Sequence, residues 1–164
     1  MDLLAIKGRL ALALVESIFR RAGITVTPVG PLEVPPHLGR EDLPDFAARR
    51  DPAAGAPDAA WTRLIEVRYR LDLTHYLAVE SQRGARSTFT RARRQWPALL
   101  VVFVSDHPEP GRSCFQAVDL GAWVPGESIA TTALWAPPEL AIYRQNVEEH
   151  ELLLRRMSAL LSGV

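Results

Sequence analysis

The chain has almost no cysteine and almost no lysine. A single cysteine in 164 residues, Cys114, allows no internal disulfide and no cysteine-rich zinc site. Between Ser113 and Phe115 it reads as a buried structural thiol in a strand. Lys7 is the only lysine among 19 basic residues. With many Ala and Pro alongside, that reads as codon bias rather than function. Formal net charge is zero at pH 7, so no overall basic excess announces nucleic acid. No apolar run approaches the length of a membrane span, and the amphipathic N-terminus after Asp2 does not match a secretory signal. No internal repeat, phosphate-binding glycine loop or Gly-x-Ser-x-Gly elbow occurs. A cytoplasmic protein with no membrane contact and no small-molecule cofactor is the expectation.

What is present is enough apolar material, 48% of residues, for one sizeable core in one domain spanning 1–164. Leu3, Leu10, Leu14 and Ile18 form an apolar stripe, with Arg9, Glu16 and Arg20 opposite, which predicts a helix over 3–22 closed by Gly23. Glu16 reads as a solvated surface residue. Lys7 sits beside the stripe, either snorkelling or reaching toward a site. Residues 24–29 read as a strand, and Pro31, Pro35 and Pro36 predict an irregular stretch to about 43. Residues 45–49 are a short strand candidate, and 51–60 a hairpin loop. Residues 61–71 make the strongest strand. Residues 74–95 read as helical with an interruption at Gly84, and Pro97 closes them. The continuous apolar run 98–104 predicts a central strand covered on both faces, and 113–120 a further strand. Pro137 and Pro138 introduce a last helix over 137–162, carrying Leu140, Tyr143, Val147, Leu154, Met157 and Leu161. This order makes an α/β three-layer sandwich with a mixed central sheet and an added C-terminal helix.

The chemistry concentrates on two stretches. Pro44-Asp45 stands at the start of one strand, and Ile65-Glu66-Val67-Arg68-Tyr69-Arg70 lies inside another. Strand alternation sends Glu66, Arg68 and Arg70 to one face and Ile65, Val67 and Tyr69 to the other. Two carboxylates and a cation on one face suit a divalent metal held against a phosphate.

These residues resemble the motif of the PD-(D/E)XK nuclease superfamily, the restriction-endonuclease-like fold. Pro44-Asp45 matches its first part and Glu66-Val67 its second. The order helix, three strands, helix, two strands over residues 3–120 is similar too, as is Trp96-Pro97 before the apolar strand. The resemblance implies a metal-dependent nuclease acting on DNA. Mg²⁺ or Mn²⁺ would be held by Asp45, Glu66 and the carbonyl of Val67. The chain departs from the pattern at Arg68, which stands where the family has lysine. Arginine cannot act as a base, but it can clamp a phosphate and stabilise transition-state charge. Leu12 stands where many relatives carry a glutamate on the first helix.

Five arginines at 83, 86, 91, 93 and 94, with no acid among them, read either as a solvated face or as a phosphate-tracking patch. On one continuous helix Arg83, Arg86 and Arg94 would share a side. Arg70, Gln82, Arg83, Arg86, Arg91 and Arg94 are therefore the candidate DNA contacts. His75 and His107 lack companions at metal-ligand spacing and read as surface or capping residues; His37 and His150 carry less signal still. The last helix either covers its own sheet or forms a homodimer seam. The alternative to a nuclease is a catalytically inactive member of the same fold, a nucleic-acid-binding or assembly module. A third reading is an unrelated α/β protein with Glu66 and Arg68 as a surface ion pair.

Overall fold

The computed structural model describes residues 2–29, 43–52 and 60–163. The irregular stretch expected around Pro31, Pro35 and Pro36, His37 within it, and most of the loop expected between 51 and 60 lie outside these residues. Helix α1 (Leu3–Arg21) is capped by the Asp2 carboxylate, which accepts from Leu4 N–H. Strands β1 (Thr25–Pro28), β2 (Phe46–Arg50) and β3 (Trp61–Tyr69) follow as an antiparallel meander. A helical crossover leads to β4 (Leu100–Val104), which runs parallel to β3. Strand β5 (Phe115–Asp119) and the two-residue β6 (Thr132–Ala133), absent from the expected elements, complete the sheet antiparallel. Among the described residues the sheet has six strands, neighbours in chain order.

One face of the sheet is covered by α1 and by α4 (Arg144–Ser162), the other by the crossover. Alternation explains why β4 is apolar throughout. Leu100, Val102 and Val104 join the core with α1 and α4, while Val101 and Phe103 join Phe89 and Leu73 of the crossover layer. The result is an α/β sandwich on a mixed sheet, as the element order predicts. Among the described residues no helix is long and apolar enough to cross a membrane.

Two expected helices differ from the sequence pattern. The crossover is not one helix but α2 (Leu73–Gln82), a 3-10 turn at Gly84–Arg86, and α3 (Thr88–Gln95). Gly84 takes φ +55°, which glycine adopts without strain. Glu80, buried at 3% exposure, stitches the break. Its carboxylate accepts from Ser87 Oγ and Thr88 N–H, each at 3.0 Å, and from Arg83 Nη1 at 3.1 Å. The last helix begins at Arg144, not at Pro137. Pro138–Leu140 form a 3-10 turn instead. The carbonyls there are taken by the sheet: Arg50 donates to Leu140 O at 2.7 Å and Trp61 Nε1 to Glu139 O at 2.9 Å. Ala141 follows at φ +49°, turning the chain before α4. The buried side of α4 is more polar than its expected stripe: Asn146, Val147, His150, Leu154 and Ser158. Tyr143 and Met157 are exposed. Asn146 donates to Ile18 O at 2.9 Å, and a His150 ring nitrogen sits 2.8 Å from Ser17 Oγ, so α4 is hydrogen-bonded to α1. Cys114 is buried, as the sequence suggests, and burial pushes its thiol pKa up.

Lys7 reaches neither solvent nor the acids of the Pro-Asp stretch. It pairs with Asp106 at 2.7 Å, both side chains almost wholly buried. Tyr69 O–H donates to the other oxygen of Asp106 at 2.5 Å. Burial alone would raise the Asp106 carboxyl, but the bonds from Lys7 and Tyr69 outweigh it and hold its pKa at about 2. The Tyr69 phenol moves up, through burial first and then the neighbouring carboxylate.

Lys7→Met leaves a buried, uncompensated carboxylate and is expected to cost about 3–5 kcal/mol in urea unfolding. Adding Asp106→Asn is expected to recover part of that loss. Because the folded pKa of Asp106 lies below its unfolded value, its contribution is present above the unfolded value. It is expected to be lost as pH falls from 3.8 toward about 2.

Candidate functional site

The site is assembled where β2 stops pairing with β3. Phe46 pairs with Ile65, and Asp45 N–H donates to Ile65 O at 2.9 Å. Continued one step, this antiparallel register would set Asp45 opposite Glu66. The ladder does not continue there. Instead, Val67 N–H donates to Asp45 Oδ2 at 2.7 Å. The N–H and C=O of a strand residue point to the same side, so the Val67 carbonyl also faces the side of the sheet from which Asp45 approaches. The Asp45 carboxyl and the Val67 carbonyl therefore lie at one corner, near enough to Glu66 for its charge to act on Asp45.

Alternation works on β3 as the sequence predicts. Ile65, Val67 and Tyr69 pack into the core beneath α1, and Glu66 and Arg68 face the crossover. Both Nε and Nη2 of Arg68 lie 2.7 Å from the same oxygen, Glu66 Oε1. Arg68 Nη1 donates to Tyr76 Oη at 3.0 Å and to Thr88 Oγ1 at 3.4 Å, and its guanidinium lies 5.8 Å from the Phe89 ring centroid. The side chains of Glu66 and Arg68 are only 13% and 16% exposed, so theirs is not a surface ion pair. Burial works against the Arg68 charge, and the adjacent Glu66 carboxylate more than restores it, so its pKa is raised.

Asp45 behaves differently. Burial raises its pKa, the Val67 N–H and Arg68 oppose that rise, and the charges of Glu66 and Glu16 reinforce it, with a net upward shift. Glu16 is therefore a neighbour of the site rather than a remote surface residue. It lies one helical turn after Leu12, on the same side of α1, and its side chain is 22% exposed, paired with Arg20 at 3.3 Å. The polar side of a helix does not by itself distinguish solvent from the open corner of a sheet, which is why the stripe argument misses Glu16. Among the described residues, no three His, Cys, Asp or Glu side chains are arranged to hold a metal ion together. Mg²⁺ is commonly held by one or two carboxylates with waters and phosphate oxygens completing its shell. The donor set of Asp45, Glu66 and the Val67 carbonyl is chemically suited to that role.

The proposed DNA contacts separate into two groups. Arg70 is partly buried; it stacks 4.4 Å from the Tyr76 ring centroid and donates to Tyr69 O at 2.8 Å. Gln82, Arg83, Arg86, Arg91 and Arg94 are exposed. Arg83 is bound to Glu80, an acid three residues before it. The break between α2 and α3 removes the continuous helix on which Arg83, Arg86 and Arg94 would share a side. Arg91 and Arg94 remain one turn apart on α3. Arg93 donates to Leu120 O at 3.0 Å and so tethers α3 to the sheet. A cleft of about 920 Å³ lies past the C-terminal ends of β3 and β4 and includes Gln82, Asp72, Glu109 and Arg112. It contains none of Asp45, Glu66 and Arg68, and its mixed charges favour no one ligand. The acid corner carries the more defined chemistry.

Asp45 binds its proton more tightly in the folded state than in the unfolded one. Its contribution is therefore full below 3.8, its ordinary value, and declines as pH rises through its raised folded value. Asn at this position keeps an acceptor for Val67 N–H. Asp45→Asn is expected to melt higher than wild type at neutral pH and to lose that advantage in acid; a lower melting temperature at neutral pH would contradict the assignment. In comparisons with known proteins, no family model, no curated protein and no solved structure matches this chain.

Proposed function

We propose that this protein is a metal-dependent, nuclease-like protein acting on DNA phosphodiester bonds. The observation that carries the reading is the hydrogen bond from Val67 N–H to Asp45 Oδ2, made where the pairing of β2 with β3 ends, which holds the Asp45 carboxyl against the backbone next to Glu66. The resemblance of Pro44-Asp45 and Glu66-Val67-Arg68 to the PD-(D/E)XK motif points the same way. The upward shift of Asp45 adds a physical argument: burial first, and then the neighbouring charges of Glu66 and Glu16, disfavour its bare carboxylate, which a proton or a bound cation would relieve. Asp45, Glu66 and the Val67 carbonyl would hold Mg²⁺ or Mn²⁺. A metal there supplies positive charge against the phosphate and makes a water more acidic. Arg68 remains charged and offers its guanidinium to a phosphate oxygen as negative charge develops. Exposed Arg86, Arg91 and Arg94 would bear on the backbone further out.

One observation favours the second reading, a catalytically inactive module of the same fold that binds nucleic acid or a partner. Arg68 is already committed to Glu66 by two short contacts and is held by Tyr76 and Thr88. A substrate phosphate must compete with Glu66 for it.

Labelled single-stranded, duplex and branched DNA are expected to be cut with Mg²⁺ or Mn²⁺, and not by Glu66→Ala. Arg68→Lys frees one contact on Glu66 and introduces a side chain with a movable pKa. It is expected to raise metal-dependent cutting about tenfold or more. No cutting by either protein under any of these conditions would leave the binding-module reading.

A further inference from the structure

The outward side of α4 carries a row of exposed side chains at helical spacing: Glu149, Leu152, Leu153, Arg156 and Leu160. The leucines are well exposed, at 57% for Leu152, 44% for Leu153 and 73% for Leu160. None is needed to seal the domain, because α4 rests on the sheet and α1 through Val147, His150 and Leu154. Large apolar residues clustered on a solvent face mark an interaction surface.

The charges along the row indicate the occupant. An acid lies three residues before Leu152 and a base three residues after Leu153. Two copies of α4 packed antiparallel about a two-fold axis between Leu152 and Leu153 would set these leucines against each other. The same axis places Glu149 opposite Arg156 of the second copy, at both ends of the apolar centre. Parallel packing would oppose Glu149 to Glu149 and Arg156 to Arg156. The surface is thus complementary to itself in one orientation, as an isologous interface requires. Glu149 also pairs with Arg21 at 2.6 Å while remaining 44% exposed, so it is held in place at the surface.

We propose that this protein forms a two-fold dimer through an antiparallel α4–α4 contact centred on Leu152 and Leu153. This contact is independent of the acid corner and of the nuclease reading.

Sedimentation velocity across a micromolar concentration series is the test. The full chain is expected to sediment as a dimer, and Leu153→Glu as a monomer with an unchanged circular dichroism spectrum. Arg156→Glu is expected to weaken the dimer, and Glu149→Arg combined with it to restore association. Leu153→Cys lies beside the axis and is expected to cross-link on mild oxidation, whereas the wild type, with Cys114 buried, is not. The two copies of residue 160 would lie about 22 Å apart at 1.5 Å per residue, so Leu160→Cys is expected not to cross-link. A monomer at all concentrations, a dimer indifferent to Leu153→Glu, or cross-linking at 160 equal to that at 153 would overturn the proposal.

Discussion

The parallel pairing of β3 with β4 is the constraint from which most of this architecture follows. Parallel neighbours cannot be joined by a tight turn, so the chain must cross over a face of the sheet. That crossover, α2 and α3, lies on the face of β3 that carries Glu66 and Arg68. The face is therefore sheltered, and its charges must find partners within the protein. Arg68 finds Glu66, Tyr76 and Thr88. The break between α2 and α3 brings Thr88 to the guanidinium, and buried Glu80 holds that break together.

The opposite edge of β3 is where the sheet opens. Strand β2 begins its pairing at Phe46, and the residue before it turns its carboxylate to the backbone of Val67. The two acids thus share a corner but differ in character. Glu66 is neutralised by a guanidinium beside it. Asp45 is pushed toward its protonated form by burial and by two neighbouring acids. The ionised form of Asp45 is therefore unfavourable to folding. The Lys7–Asp106–Tyr69 cluster is the contrasting case, with charge opposed by charge and the carboxyl pKa held low.

Much of the fold was legible in the sequence because burial on a regular element leaves a period. The stripe of α1, the alternation of β3 and the unbroken apolar run of β4 each announce their element and its covered face. The two-residue β6 is too short to leave a period. The start of α4 was misplaced because Pro137 and Pro138 read as a helix opening, while Arg50 and Trp61, distant in sequence, take the carbonyls there. The shared face of Glu66 and Arg68 was legible from strand parity, and the position of Asp45 at the start of β2 from Pro44-Asp45. Glu16 was not, because a helix position records which residues avoid the core and not what lies beyond the helix.

The sequence by itself determined α1 and the strands β1 to β5, the face on which each acid and arginine of β3 lies, and the single buried thiol. These depend on local periodicity and composition, which neighbouring residues suffice to express. Only the tertiary structure decided that Lys7 pairs with Asp106, 99 residues away, that Asp45 meets Val67, and that Glu16 adds its charge to that corner. Those pairings depend on strand register and helix packing. Register and packing arise from the burial of the whole core, so no local stretch of sequence encodes them alone.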